Sequence, residues 1–248
     1  MEFPLVFHLG PLAVPAHLIF EILAFGLGFQ YFIKLRKQQV DTISNVNRLW
    51  TLIGATGGAL IGSRLLGSLE SPEIFFSGSA GLLYYYQSKT IVGGLLGGLA
   101  GVEGVKKIIG ERQSSGDLFT FPLMLGMMIG RIGCFFSGVS EPTYGLPSNL
   151  PWAIDLGDGI RRHPTALYEI LVLGLVWWLL IYLERRYRLR PGARFKIFMA
   201  TYLFYRFFVE FIRPGEAVLG NLNMIQLAGL AGLIYYWKVW LKPRSLLA

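Results

Sequence analysis

The chain has 248 residues, of which 53% are hydrophobic and 15% are charged, and its mean hydropathy is +0.50. This composition excludes an ordinary soluble domain and predicts an integral membrane protein. The net charge of +8 does not indicate nucleic acid as a partner, because no stripe of basic and aromatic residues lies on a soluble segment. With one cysteine and three histidines, we expect no intrachain disulfide, no metal site and no cofactor.

Seven apolar runs have about the 20 residues that a helix needs to cross a hydrocarbon core of about 30 Å. We therefore expect an all-α membrane protein with about seven transmembrane helices, forming a single domain over residues 1–248. The predicted spans are 13–33, 49–67, 91–110, 118–137, 166–184, 196–212 and 222–241. The first four residues lack the basic region of a cleaved signal peptide, so we expect the first run to remain as a span.

Lysine and arginine are concentrated in alternate connections between these spans. The segments 34–48, 105–117, 184–196 and 238–248 hold 16 of the 23 basic residues. Because basic residues mark cytoplasmic loops, we expect an extracytoplasmic N-terminus and a cytoplasmic C-terminus. The largest polar insertion, 137–164, then forms a small extracytoplasmic head. A loop of this length is typical of a functional segment.

Glycines crowd the third predicted span. Gly93, Gly97 and Gly101 are spaced by four residues, which places them on one face of a helix. Small residues at this spacing let two helices approach closely. We expect these glycines to serve helix packing, and contact with lipid is the alternative.

Charged residues of both signs interrupt the apolar runs. These residues are Arg64, Arg131 and Arg206 on the basic side and Glu21 and Glu103 on the acidic side. An arginine at the middle of a membrane helix costs about 2.5 to 3.5 kcal/mol on insertion scales, so it is by default a candidate for a functional site. The pattern predicts a polar cavity inside a helix bundle.

Basic side chains from three segments are expected to meet at the outer end of this bundle. Arg131 ends the fourth span, Arg162 and His163 precede the fifth, and Arg206 and Arg213 end the sixth. Guanidinium groups bind phosphate well because they offer paired donors in a fixed geometry. The phosphate nearest to a membrane protein is that of a phospholipid headgroup, so we expect a phospholipid as partner.

The sixth span adds a carboxylate to this set. Arg206, Glu210 and Arg213 are spaced i, i+4 and i+7, which places them on one stripe of a helix. Two interpretations remain open, an internal ion pair that holds helices together and support for catalysis. In either case Glu210 is expected to orient Arg206.

Taken together, these motifs resemble the bacterial prolipoprotein diacylglyceryl transferase family. The matching segments, in the order of the family, are Leu9–Val14, Gly62–Leu65, Gly130–Phe135, Gly145, Pro151-Trp152, Arg162–Glu169 and Arg206–Arg213. The resemblance covers nearly the whole chain. It implies transfer of diacylglyceryl from phosphatidylglycerol to a cysteine thiol of a lipoprotein precursor, with release of glycerol phosphate. It also implies a bacterial inner membrane protein whose active face is extracytoplasmic.

The resemblance implies roles for individual residues. Arg131 and Arg206 would hold the headgroup, supported by Glu210 and Arg213. Tyr168 and Glu169 would brace the helix that carries the polar loop. The full set of candidate substrate-binding residues is Arg64, Lys89, Cys134, Gly145, Arg162, His163, Tyr168, Glu169 and Arg213.

Four polar positions of the family pattern are changed in this chain. Cys134 stands where the family has asparagine, His17 where it has tyrosine, and Val139 where it has glutamate. Ile91-Val92 precede the glycine pair where the family has histidine. The changes indicate a divergent member or a paralogue. They leave open whether the acceptor is a lipobox cysteine, another nucleophile or none.

Several replacements are themselves reactive. His17 and Glu141 are candidates for the base, since the ordinary pKa of histidine lies near physiological pH; the alternative for His17 is a packed, hydrogen-bonded side chain. Lys89 is either a phosphate contact or a lysine that reaches the interface. Cys134 lies near Arg131 in sequence, so it is either a thiolate that forms a covalent intermediate or a small packed residue.

We interpret the chain as a phospholipid-dependent, diacylglyceryl transferase-like membrane enzyme, with the acceptor unassigned. One alternative is a non-catalytic phospholipid-binding membrane subunit of the same fold. Another is a lipid or anion transporter, which would be expected to show discontinuous helices in two matching halves. The sequence has no such internal symmetry.

Overall fold

Ten α-helices occur in the part of the chain that the computed structural model describes, residues 3–39 and 41–248. They are α1 (Ala16–Gln38), α2 (Asn45–Ser68), α3 (Pro72–Phe75), α4 (Ser79–Gln87), α5 (Ile91–Ile109), α6 (Asp117–Ser137), α7 (Thr165–Arg186), α8 (Ala193–Val209), α9 (Met224–Tyr235) and α10 (Trp237–Leu241). Short 3₁₀ turns occupy Gly138–Ser140, Glu210–Ile212 and Pro243–Leu246. The expectation about N-terminal processing concerns in part Met1 and Glu2, which lie outside the described residues.

Six of the seven predicted spans each correspond to one helix, whereas the seventh, 222–241, is divided between α9 and α10, and the helices differ in how well they suit a bilayer. Four of them, α1, α2, α6 and α7, are long and apolar enough to cross a membrane. In contrast, α5 carries Glu103, Lys106 and Lys107, while α8 has 17 residues and α9 has 12. The structure therefore supports a mostly helical membrane protein with four such helices.

A β-hairpin precedes the first helix and corrects the all-α prediction. Val6–Leu9 (β1) pairs antiparallel with Leu12–Pro15 (β2) across the turn Gly10-Pro11. Gly10 has a φ of 62°, a value typical of glycine at the first central position of a two-residue hairpin turn. Because β2 is extended, the first helix begins at Ala16 rather than at residue 13.

A second, smaller hairpin lies in the polar insertion. Ile154–Asp155 (β3) pairs antiparallel with Arg161–Arg162 (β4). The Asp155 carboxylate accepts hydrogen bonds from the backbone N–H groups of Gly157 and Gly159 at 2.9 and 3.0 Å. Aspartate closes turns in this way because its short side chain reaches the backbone two residues ahead. The predicted head is therefore an ordered loop that contains a small strand pair.

Local hydrogen bonds explain where several helices begin and end. The Thr90 hydroxyl accepts a hydrogen bond from the Gly93 N–H at 3.2 Å, which caps the start of α5. The helix ends at Gly110, whose φ of 72° is left-handed. The side chains of Asn223 and Gln226 each accept from the other's backbone N–H, a capping box that starts α9.

Two stripes of glycine join α2 and α5 in antiparallel contact. The stripes are Gly54, Gly58 and Gly62 on α2 and Gly93, Gly97 and Gly101 on α5. A Cβ atom on Gly58 would lie 2.3 Å from the carbonyl oxygen of Gly97, and a Cβ on Gly97 would lie equally close to that of Gly58. The packing role predicted for the glycines of the third span is therefore confirmed.

The other long helices form a second packed group. α6 contacts α1, α7 and α8, and α8 also contacts α7 and α9. Met124, Leu173, Met199 and Leu203 are fully buried between these helices. Arg131, Glu169 and Arg206 are also buried in the interior between α6, α7 and α8.

Polar contacts also order the end of the bundle that carries the basic connections. Asp41 pairs with Arg36 at 2.9 Å and with Arg48, and Asp117 accepts from the Phe195 N–H at 3.0 Å at the start of α8. Burial disfavours ionisation of Asp41, but hydrogen bonds from Arg48 and from the backbone lower the pKa of this carboxyl overall. These pairs anchor loops at one end of the bundle. The buried charged residues between α6, α7 and α8 lie at the opposite end.

The glycine contact predicts opposite effects for two adjacent alanine substitutions. In Gly58→Ala the new methyl group meets the α5 backbone, and overpacking of this kind costs about 1–3 kcal/mol. In Gly57→Ala no atom lies within 4 Å of the new Cβ, and alanine favours a helix by about 0.5–1 kcal/mol over glycine. Thermal unfolding in detergent should give a lower Tm for Gly58→Ala only. Equal Tm values for the two variants would contradict the packing described.

Candidate active site

Glu169 lies at the centre of a buried charge network where α6, α7 and α8 meet. Its Oε1 is 2.8 Å from Arg131 Nε, and its Oε2 is 3.2 Å from Arg206 Nη1. Tyr202 Oη donates a hydrogen bond to Oε1 at 2.8 Å. Arg131 is the most exposed of the four residues, at only 5%. Its Nε–H is not aligned with the carboxylate, so this contact is an ion pair rather than a hydrogen bond.

A second carboxylate, Glu210, extends the network along the turn that follows α8. Its Oε1 pairs with Arg206 Nη2 and lies 2.7 Å from Arg213 Nη1. Its Oε2 accepts a hydrogen bond from Asn223 Nδ2 at 3.3 Å. The stripe predicted at positions 206, 210 and 213 therefore forms a chain of ion pairs.

The network has an excess of positive charge. Three arginines face two glutamates, which leaves one net positive charge. In addition, the Nε atoms of Arg206 and Arg213 are buried and have no hydrogen-bond partner among the described residues. A buried donor without a partner is costly. The arrangement suits an anion that both accepts these hydrogen bonds and neutralises the extra charge.

A third carboxyl group, that of Glu70, lies near the network in the turn that follows α2. Its burial and the negative charge of Glu210 raise the pKa of Glu70 to about 7, against the opposing effects of Arg213 and Arg206. The carboxyl is thus neutral below this pH and charged above it. With Glu70 included, the network therefore carries one net positive charge when this carboxyl is protonated and no net charge when it is ionised.

Cys134 borders the network on the side of α1. Arg131 Nη1 donates toward the Cys134 sulfur at 3.7 Å, and His17 lies beside the same thiol, its buried Nδ1 without a hydrogen-bond partner among the described residues. His17 Nε2 lies 4.0 Å from Glu141 Oε1 and 4.0 Å from Glu21 Oε2. In residues 3–39 and 41–248, no group of three histidine, cysteine or acidic side chains is arranged to hold a metal ion.

Helix packing brings this second set of side chains together. A Cβ atom on Gly133 would lie 2.9 Å from the Phe20 Cβ and 3.3 Å from the His17 Cα, so the glycine lets α1 lie directly on α6. Lys89, just before α5, places its Nζ 3.7 Å from Glu21 Oε1. The set therefore joins the ends of α1, α5 and α6 beside the arginine network.

Three of the predicted residues hold the head against α7. Tyr168 Oη lies 3.2 Å from His163 Nδ1 and accepts a hydrogen bond from Trp152 Nε1 at 2.8 Å. A Cβ on Gly145 would lie 2.5 Å from the His163 Cβ, so only glycine fits this contact. Tyr168 contacts the head, whereas its neighbour Glu169 faces the interior network.

Two predicted arginines make other contacts. Arg64 donates to the Tyr86 carbonyl oxygen and lies over the Tyr86 ring, 6.0 Å from its centroid. Arg162 pairs with Asp158 at 2.6 Å and lies 5.1 Å from the centroid of the Tyr144 ring. Neither arginine forms part of the buried network.

Some network residues are absent from the predicted set. Tyr202 precedes Arg206 by one helical turn, a spacing that links it to the predicted stripe. Asn223 and Glu70 follow no such pattern, because each lies in a connection outside the helices that carry the arginines. Only the folded contacts connect them to Glu210.

Comparison with known proteins identifies the family of the chain. The sequence profile of the family described as prolipoprotein diacylglyceryl transferase matches residues 4–241. The phosphatidylglycerol–prolipoprotein diacylglyceryl transferase of Trichormus variabilis is 30% identical, and the match covers 93% of this chain and 86% of that protein.

Two further relatives carry the same description. The protein of Idiomarina loihiensis is 32% identical over 89% of this chain and 84% of its own length. The protein of Finegoldia magna is 39% identical over a shorter match of 118 residues, which is 48% of this chain and 46% of that protein. Since the profile and the longer relatives match most of the sequence, the chain belongs to the prolipoprotein diacylglyceryl transferase family.

Proposed function

We propose that the chain transfers the diacylglyceryl group of phosphatidylglycerol to a cysteine thiol of a lipoprotein precursor. The observation that carries this proposal is the buried network of three arginines and two glutamates. Its single net positive charge matches the single negative charge of the phosphodiester in the lipid. The names of the relatives, each a phosphatidylglycerol–prolipoprotein diacylglyceryl transferase, support the same substrates.

The reaction takes place at the extracytoplasmic face of a seven-helix bundle in a bacterial inner membrane. The network joins the C-terminal ends of α6 and α8 to the N-terminal end of α7, so it lies at one end of the bundle. The basic connections 34–48, 105–117 and 184–196 lie at the other end. Basic loops favour the cytoplasmic side, which supports an outward-facing site. In this arrangement α5, α8 and α9 complete the seven spans.

The arginines stabilise the leaving group. The thiolate sulfur attacks the glyceryl carbon that carries the phosphate, so a C–S bond forms while the C–O bond to phosphate breaks. The departing glycerol phosphate gains one negative charge, because a phosphodiester becomes a phosphomonoester. Arg131, Arg206 and Arg213 stabilise this developing charge. Glu169 and Glu210 hold the guanidinium groups in place before the lipid binds.

His17 accepts the proton of the incoming thiol. Its Nε2 lies 4.0 Å from Glu141 and from Glu21, and both carboxylates stabilise the imidazolium ion that forms. The thiol becomes the stronger nucleophile once it has lost its proton. His17 and Glu141 thereby act as base and orienting group.

Arg206 offers the most direct test of the phosphate site. Arg206→Lys keeps the positive charge but loses the planar donor set that contacts Glu169 and Glu210 together. Loss of one donor to a developing oxyanion costs about 10²- to 10³-fold in rate, so we expect at least a hundredfold slower transfer. The measurement is lipidation of a reporter lipoprotein in cells depleted of their own transferase.

The test needs a control variant and a check that each variant is folded. Arg112 is exposed at the opposite end of the bundle, so Arg112→Ala should transfer at the wild-type rate. Variants are compared at equal membrane levels, because breaking a buried ion pair costs about 3–5 kcal/mol. Full transfer by Arg206→Lys would contradict the proposal. Bound phosphatidylglycerol without any transfer by the wild type would favour the lipid-binding subunit instead.

His17→Ala should separate catalysis from lipid binding. A general base contributes about 10²- to 10⁴-fold, so kcat is expected to fall by that range while KM for phosphatidylglycerol stays near the wild-type value. The measurement is transfer to a synthetic lipobox peptide by purified protein, with the lipid concentration varied. An unchanged kcat would show that His17 is a packed residue and not the base.

Glu70 predicts a dependence of lipid affinity on pH. Because the pKa of Glu70 is raised to about 7, raising the pH through this value adds a negative charge beside Arg206, Arg213 and Glu210. A nearby charge is worth about 1 kcal/mol or more, so KM for phosphatidylglycerol should rise about fivefold between about pH 6 and 8. Glu70→Gln should keep the low-pH KM throughout. A rise that persists in Glu70→Gln would assign it to another group.

A further inference from the structure

Cys134 is the single cysteine of the chain, and it stands among three side chains that activate nucleophiles. Arg131 Nη1 lies 3.7 Å from its sulfur, and His17 of α1 lies beside the thiol with a buried Nδ1 that has no hydrogen-bond partner among the described residues. Glu141 Oε1 lies 4.0 Å from His17 Nε2. A thiol, an imidazole and a carboxylate thus lie next to one another, the three groups that cysteine enzymes combine, with 4.0 Å between the imidazole and the carboxylate.

The packing of α1 on α6 produces this arrangement. Gly133, next to Cys134, lets α1 approach until the His17 Cα would be 3.3 Å from an added Cβ. Cys134 itself is half-buried rather than enclosed. Cysteines buried among apolar groups are inert, whereas a partly exposed cysteine beside a cation and an imidazole is typical of reactive thiols.

We propose that this site catalyses a second reaction, in which Cys134, with the same His17 and Glu141, removes an acyl chain from a phospholipid through a thioester on Cys134. This inference rests on the proposed function for one point, the binding of the lipid phosphate by Arg131. Because Arg131 contacts Cys134, a phosphate held there brings the ester groups of the same lipid, only a few bonds away, next to the sulfur.

The first step forms the thioester. His17 takes the thiol proton, and the sulfur attacks the ester carbonyl carbon, whose developing oxyanion is stabilised by Arg131. The ester C–O bond then breaks, and the glyceryl oxygen takes the proton back from His17. The products are an acyl thioester on Cys134 and a lysophospholipid.

The second step releases the acyl chain to water. His17 accepts a proton from a water molecule, whose oxygen attacks the thioester carbonyl. The C–S bond breaks and the sulfur takes the proton, which restores the thiol and releases a fatty acid. Each cycle therefore consumes one phospholipid and one water and needs no other reactant.

The test uses the purified full-length chain in nanodiscs of phosphatidylglycerol that carries alkyne-tagged acyl chains. After incubation the protein is denatured, coupled to a fluorophore and treated with or without neutral hydroxylamine, which cleaves thioesters and not thioethers. Since the chain has one cysteine, a hydroxylamine-sensitive label can only be on Cys134. We expect a sensitive label on the wild type, none on Cys134→Ala, and labelling at least about 100-fold slower in His17→Gln.

Transfer to a reporter lipoprotein is measured in the same samples, so that the two proposals are judged separately. Transfer without a label on the wild type would overturn the thioester and leave the proposed function standing. A hydroxylamine-resistant label would also overturn it, because it would identify Cys134 as a dead-end acceptor of diacylglyceryl. A sensitive label without transfer would support the thioester and contradict the proposed function. Absence of both signals would overturn both proposals.

Discussion

The shared burial of Glu169 between Arg131 and Arg206 is the interaction on which the rest of this structure depends. Each residue belongs to a different helix, so the pairing fixes how α6, α7 and α8 lie against one another. None of the three charges can be left alone in the interior, because an unpaired buried charge costs about 3–5 kcal/mol. Arg206 also forms an ion pair with Glu210, and Glu210 forms a further ion pair with Arg213. The same ion pairs therefore determine both how the three helices pack and how much charge the site carries.

The rest of the molecule holds this network in place from both sides. The glycine stripes of α2 and α5 form one tightly packed pair, and Glu70, which follows α2, contributes a carboxyl that titrates near neutral pH. On the other side, Gly133 seats α1 on α6 and brings His17 to Cys134. Under the proposed function the site binds a charged headgroup within a membrane, and such rigid supports would align its donors before the lipid enters.

Hydropathy predicted the positions of the main helices to within a few residues, because crossing a bilayer demands apolar length that the sequence displays directly. It did not predict the hairpin that delays α1 to Ala16, since an apolar strand and an apolar helix start are alike in composition. The stripe at positions 206, 210 and 213 was visible because all three residues lie on one segment. The central place of Glu169 was not, because spacing along one helix does not reveal how that helix is rotated toward two others.

The central claim is that the buried arginine network binds the phosphate of a phospholipid. The most direct measurement is an experimental structure of the full-length chain in nanodiscs of phosphatidylglycerol. The account predicts a lipid phosphate within hydrogen-bonding distance of Arg131, Arg206 and Arg213, with its oxygens on the buried Nε donors of the last two. A phosphate bound instead at the basic connections on the other end of the bundle, with the Glu169 and Glu210 pairs unchanged and no lipid between the arginines, would contradict it.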